Sequence, residues 1–197
     1  IIHTAQSSQE LGNAIADVLS GDYNPSGRLP MTFPRVTGQC PIYYNHKSTG
    51  RPENDSWQYI TSYTDVDYTP AYPFGFGLSY TTFEISEPKL EKSGYGMDEQ
   101  IKAVVTVSNT GSVAGRETVQ LYVRDEVASM TRNVKDLRGI DQVDLQPGES
   151  RDVEFVIGRD DLGFYNQKLE FITEPGEFTL MAGSNSRDVK WTKFTLE

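Results

Sequence analysis

Two hydrophobic periods divide the chain. Near its start Leu11, Ile15, Val18 and Leu19 recur at i, i+4, i+7 and i+8, one apolar stripe along a helix. Ser7-Ser8-Gln9-Glu10 ahead of it reads as a capping box, the Ser7 hydroxyl accepting from the Glu10 amide while the Glu10 carboxylate reaches back. Gly21 predicts a left-handed C-terminal cap, and Asn24-Pro25-Ser26-Gly27 a turn. Residues 29–33 read as a short strand that Pro30 and Pro34 place at a sheet edge or switch. One helix and one interrupted strand close no core. Their apolar face calls for a sheet that this sequence does not contain.

From Thr81 onward the period is two. Ile101, Ala103, Val105 and Val107 alternate with more polar neighbours and end at Asn109-Thr110-Gly111. Val119, Leu121 and Val123 alternate with Gln120 and Tyr122. Val153, Phe155 and Ile157 follow the Pro147-Gly148 turn, and Phe178, Leu180 and Ala182 follow Pro175-Gly176. A last strand is expected near 190–196. Such alternation between turn signals predicts a β-sandwich with one buried face per sheet, and about 115 residues suits a single immunoglobulin-like or fibronectin-like module. Residues 125–138 read as the one long insertion among the strands. No cysteine pair marks an antibody-type domain.

Between the two periodic parts, residues 36–80 show little pattern. They hold Pro41, Pro52, Pro70 and Pro73 and ten of the 22 aromatic residues, among them Tyr43, Tyr44, Trp57 and Tyr59. A loop this long inside a compact domain is functional or a packed linker. Its rings suit the apolar faces of sugars, and they suit equally the anchoring of a linker to its neighbours. Both readings stay open here.

Composition narrows the partners. The formal charge of −10 and a mean hydropathy of −0.51 describe an acidic globular chain that repels phosphate backbones, which argues against nucleic acid. No apolar run is long enough to span a membrane. The first residues, Ile1-Ile2-His3, lead to the expectation of a processed chain or a piece of something longer. Cys40 is the single cysteine, so no internal disulfide forms. Paired with His3 or His46 it would make a thiol nucleophile; otherwise it is an ordinary half-buried residue. Two histidines with no carboxylate at helical spacing beside either leave no metal site in view. No G-x-S-x-G elbow and no phosphate-binding loop occur. Phe74-Gly75-Phe76-Gly77 has only the core of a glycine-rich loop and reads as a tight backbone turn into the sandwich. No catalytic set and no cofactor follow from the residues.

Three blocks carry a resemblance. Gly12-Asn13-Ala14-Ile15-Ala16-Asp17-Val18-Leu19, then Gly21-Asp22-Tyr23-Asn24-Pro25-Ser26-Gly27-Arg28-Leu29-Pro30-Met31-Thr32-Phe33-Pro34, and Tyr72-Pro73-Phe74-Gly75-Phe76-Gly77-Leu78-Ser79-Tyr80 resemble the family 3 glycoside hydrolases. Asn109-Thr110-Gly111, Pro147-Gly148-Glu149 and Glu174-Pro175-Gly176-Glu177-Phe178 resemble that family's C-terminal module. Pro41-Ile42-Tyr43-Tyr44-Asn45-His46-Lys47 with Thr49-Gly50-Arg51-Pro52 resembles the bacterial β-glucosidase branch.

The resemblance implies a parent with a barrel, an α/β sandwich and a fibronectin type III-like domain, periplasmic or secreted. In that frame residues 1–35 are the C-terminal helix and strand of the α/β sandwich, 36–80 an aromatic-rich linker, and 81–197 the fibronectin type III-like domain, a mostly β chain. A retaining mechanism is implied, with an Asp nucleophile and a Glu acid/base that both lie upstream. No residue of this chain matches either motif, so none is assigned as catalytic.

The implied partners are the upstream domains and a β-glucoside or oligosaccharide; a homodimer is also allowed. Substrate contact is expected from Tyr43, His46, Lys47, Arg51 and Trp57, rings and polar groups on a loop at the outer, leaving-group side of the pocket. The alternative is a stand-alone carbohydrate- or protein-binding module. The helix and strand argue against it, because such a module has no use for a fragment of another layer.

Overall fold

The computed structural model describes residues 2–4, 9–48 and 63–197. Helix α1 (Leu11–Ser20) is followed by a 3-10 turn (Thr37–Gln39) and a set of strands: β1 (Phe83–Ile85), β2 (Lys89–Leu90), β3 (Gly94–Tyr95), β4 (Ile101–Asn109), β5 (Gly115–Asp125), β6 (Asp136–Leu145) and β7 (Ser150–Ile157). A short helix α2 (Arg159–Leu162), the hairpin β8 (Phe164–Tyr165) and β9 (Phe171–Ile172), and the long strands β10 (Gly176–Gly183) and β11 (Val189–Leu196) complete it. In one sheet β4 pairs with β7, and with β1 and β2. In the other the order is β3-β11-β10-β5-β6, antiparallel except for β3 with β11. The chain is mostly β, as its alternation predicts.

The core lies between the sheets. Ile101, Ala103, Val105 and Val107 of β4 and Val153, Phe155 and Ile157 of β7 meet Val119, Leu121 and Val123 of β5 and Phe178, Leu180 and Ala182 of β10. Each large aliphatic side chain buried here contributes about 1.5–3 kcal/mol. Phe178 stacks on Phe194 at 5.3 Å, and Tyr95 meets Phe194 edge-on. The end of β4 is closed by Asn109, whose amide donates to the Val113 and Leu145 carbonyls while its Oδ1 accepts from the Thr81 hydroxyl.

Several expectations need correction. The helix begins at Leu11 with Glu10 as its N-terminal cap residue, and the Glu10 carboxylate accepts from Asn13 Nδ2 at 2.6 Å; the expected capping box rests on Ser7, which lies outside the described residues. Gly21 does close α1 in the left-handed region, at φ 87°. Residues 29–33 form no ladder, because Pro30 and Pro34 lack the N–H groups that would continue one. They make point contacts with the later linker instead: Leu29 exchanges backbone bonds with Gly75 and Phe76, and Phe33 with Ala71 and Tyr72.

The stretch 125–138 is not all insertion, since β6 starts at Asp136. Only Val143 and Leu145 of β6 are buried, so its polar edge-strand sequence hides the period. Cys40 is exposed, not half-buried, because the neighbouring Gln39 takes the interior place.

The largest departure is at β5. Gln120 and Tyr122 are as buried as Val119 and Leu121, so this strand is covered on both faces. The second cover is the linker. Tyr44 stacks on Phe74 at 4.5 Å and meets Tyr122 edge-on at 5.7 Å. Gln120 donates to the carbonyls of Gly75 and Ser184, and its Oε1 accepts from the Tyr122 hydroxyl. Gly75, at φ 80°, lies so close that a Cβ there would fall 2.2 Å from Gln120 Oε1. By contrast α1 has no buried residue, and Leu19 is 69% exposed.

Candidate functional site

The aromatic loop is closed at its base by polar side chains. Buried Gln39 accepts the Arg35 N–H on Oε1 and donates from Nε2 to the Asp67 and Thr69 carbonyls. Arg35 adds bonds from Nε to the Thr69 carbonyl and from Nη2 to its hydroxyl. The Asp67 carboxylate accepts the Thr69 N–H and hydroxyl at 2.9 Å, which holds its pKa below the ordinary carboxylate value. These contacts bring residues 35–39 and 67–69 together, so the chain between them leaves and returns at one place.

One arm of that loop docks on the sandwich. Lys47 forms an antiparallel bridge with Asn133, and the Val134 N–H donates to the His46 carbonyl at 2.9 Å. Lys47 Nζ donates to the Thr131 carbonyl at 2.8 Å. His46 Nδ1 lies 2.9 Å from the Lys47 carbonyl. Farther along, Lys135 Nζ donates to the Ser186 carbonyl, and Ser186 N–H to that of Phe74. Burial pushes the Lys135 ammonium pKa down. Turns at 74–75, 131–135 and 184–187 are thereby tied into one contact.

Among the expected substrate contacts, the structure brings Tyr43, His46 and Lys47 onto this arm. Tyr43 is 60% exposed and the His46 ring is also open to solvent. Lys47 is engaged in docking. Arg51 and Trp57 lie outside the described residues. Sequence reasoning did not find Gln39, Arg35 or residues 131–134. Asp67-Tyr68-Thr69 did carry a local signal, the spacing at which an Asp side chain bonds the backbone two residues on.

Two other hollows are poorer candidates. A cavity of about 10 Å³ beside Asp125, Arg132 and Asp161 is the size of one water. An open groove of about 510 Å³ runs between β1 and the β10–β11 turn, but its charges are already paired, Lys190 with Glu84, Arg187 with Asp188 and Glu117 with Arg28, and Phe83 is the one ring that lines it. Among the described residues no three metal-ligating side chains are gathered.

A β-sandwich with one outer sheet face covered by a docked aromatic loop, and with a helix ahead of it, is a fibronectin-like module carrying an added N-terminal layer. Comparison with known proteins agrees. Residues 1–80 match the glycosyl hydrolase family 3 C-terminal domain, and residues 117–186 match the fibronectin type III-like domain. The whole chain is 46% identical to a periplasmic beta-glucosidase of Salmonella typhimurium, covering 26% of that protein, and 42% identical to a beta-xylosidase of Formosa agariphila, covering 27%. A beta-glucosidase of Listeria innocua, solved with isofagomine, superposes with a TM-score of 0.89 at 40% identity over 94% of this chain and 26% of that one. The chain belongs to the C-terminal region of the family 3 glycoside hydrolases. It spans about a quarter of the length of the relatives it matches.

Proposed function

We propose that this chain works as the C-terminal region of a retaining β-glucosidase, periplasmic or secreted, in which it docks the catalytic domains, stabilises them and supplies part of the substrate-pocket rim. The observation that carries the reading is the closed and docked loop. Its base is clamped by Gln39 and Arg35, its arm is seated on residues 131–134, and Tyr43 is left open to solvent. A ring on a fixed support stacks on a sugar face without first being ordered. Tyr43, His46, Lys47, Arg51 and Trp57 form the rim, on the leaving-group side. The domain division at 35 and 80 belongs to the same reading.

The reaction needs two carboxylates about 5 Å apart, and these come from the upstream domains. The chain alone therefore hydrolyses no glycoside. Turnover of an aryl β-glucoside by the purified chain, above a mock preparation, would overturn this. In the complete enzyme His46→Ala and Trp57→Ala are expected to lower kcat/KM for oligosaccharides more than for aryl glucosides, by about 1–2 kcal/mol. Aryl β-xylosides belong in the same assay, because one relative is a beta-xylosidase. Unchanged kinetics with a lowered Tm would leave the loop a packing role only.

A further inference from the structure

The loop 126–135 faces two ways. Outward, Thr131, Asn133 and Val134 hold the arm at His46 and Lys47. Inward, Arg132 enters the end of the sandwich core. Its guanidinium carbon sits 4.4 Å over the Phe164 ring, its Nε is 3.5 Å from Asp125, and its Nη2 is 3.9 Å from Asp136. The Arg132 and Asp125 side chains are only 17% and 5% exposed. Asp136 also accepts from Asn133 Nδ2 at 2.6 Å, so the carboxylate that faces Arg132 also holds the residue bridged to Lys47. Arg132 is thus one link from the docked arm. The adjoining cavity, about 10 Å³, is too small for a ligand larger than water, so the cluster has no binding role of its own.

We propose that Arg132 is a positioning residue for the pocket loop: plugged between Phe164, Asp125 and Asp136, it fixes the seat on which His46 and Lys47 rest and thereby sets substrate affinity at the rim. The proposal rests on the pocket-rim reading above. A guanidinium suits the task because it stacks on a ring and meets two carboxylates at once, which a lysine ammonium does not. A rim contact that holds substrate and transition state equally raises KM and leaves kcat unchanged when its support is displaced.

The test uses the complete enzyme with Arg132→Lys, which keeps the charge and loses the stack, and Arg132→Met combined with Asp125→Asn, which removes the buried pair together. Amide hydrogen exchange, read well below Tm, is expected to quicken at 43–48 and 131–135 in both variants while β4 stays protected. KM for a β-linked glucose disaccharide is expected to rise about fivefold or more, with kcat on an aryl β-glucoside held within about twofold. Arg132→Lys should give the smaller rise. Unchanged exchange at 43–48 would overturn the seat itself. Faster exchange with unchanged disaccharide KM would overturn the functional role, provided that Trp57→Ala still raises that KM. If Trp57→Ala leaves it unchanged as well, the rim reading fails and the proposal falls with it.

Discussion

The Arg28 guanidinium meets the Glu117 carboxylate through Nη2 and Oε1, both side chains more than nine-tenths buried, so that the turn after α1 is joined to β5 by an interior ion pair. Glu117 also accepts the Thr118 N–H at 2.7 Å. Arg28 Nε and Nη1 have no hydrogen-bond partner among the described residues. The pair therefore fixes a junction more than it contributes net stability.

Breaking that pair from one side is expected to be costly. Arg28→Met leaves Glu117 charged and buried, and should lower the unfolding free energy by about 3–5 kcal/mol. Arg28→Met with Glu117→Met should recover most of that loss. Urea denaturation of the four proteins of the double-mutant cycle measures the difference; equal losses in the single and double variants would count against it.

Gly77 makes a backbone contact that no side chain can relieve. A Cβ there would lie 2.2 Å from the Gly27 carbonyl oxygen. Gly77→Ala should separate residues 75–77 from 27–29 and destabilise by about 2–3 kcal/mol. Thermal unfolding reads this directly, and an unchanged Tm would show that the approach is not tight.

The apolar stripe of α1, none of it fully buried, predicts the opposite kind of result. Leu19 is largely exposed among the described residues. Leu19→Ser should leave the chain's stability within about 0.5 kcal/mol, yet lower that of the complete enzyme. Slow amide exchange throughout α1 in the isolated chain would contradict the helix's dependence on an absent sheet.

Asp67 sets a pH limit on the loop base. Its pKa lies below the usual value, chiefly through the bond from the Thr69 N–H. Folding thus favours the ionised form, so its contribution is full above the unfolded pKa and is lost as pH falls through the depressed folded one. Urea denaturation of wild type and Asp67→Asn should show a constant gap from pH 7 to about 5 that closes below about pH 4. A gap that persists at pH 2 would assign the effect to another group.

The seam of residues 43–47 on the sandwich resists strong salt to different degrees along its length. Tyr44 against Phe74 is a ring contact that salt does not screen, whereas Lys47 on Thr131 is an exposed charge-assisted bond. Tyr44→Ala should cost about 2–3 kcal/mol at any ionic strength, and Lys47→Met under about 1 kcal/mol. Denaturation at low and high salt separates the two.

The sequence by itself determined the elements whose burial follows a local period. Ile101 to Val107, Val153 to Ile157 and the Gly21 cap are readable because every second side chain, or one backbone angle, has a single physical solution. Gly75 and Phe76 were likewise legible as a tight turn, and the blocks around Gly12, Arg28 and Tyr72 carried the family resemblance. Tertiary structure alone decided what covers the outer face of β5. Gln120 and Tyr122 look like solvent-facing positions until Tyr44 and Phe74, distant in sequence, are laid over them. The same holds for the candidate site. Tyr43 and His46 announce a loop suited to sugars, but Gln39 at its base and Arg132 behind its seat become recognisable only when residues far apart in the chain meet, because a hydrogen bond or ion pair formed across such distances leaves no periodic trace in either segment.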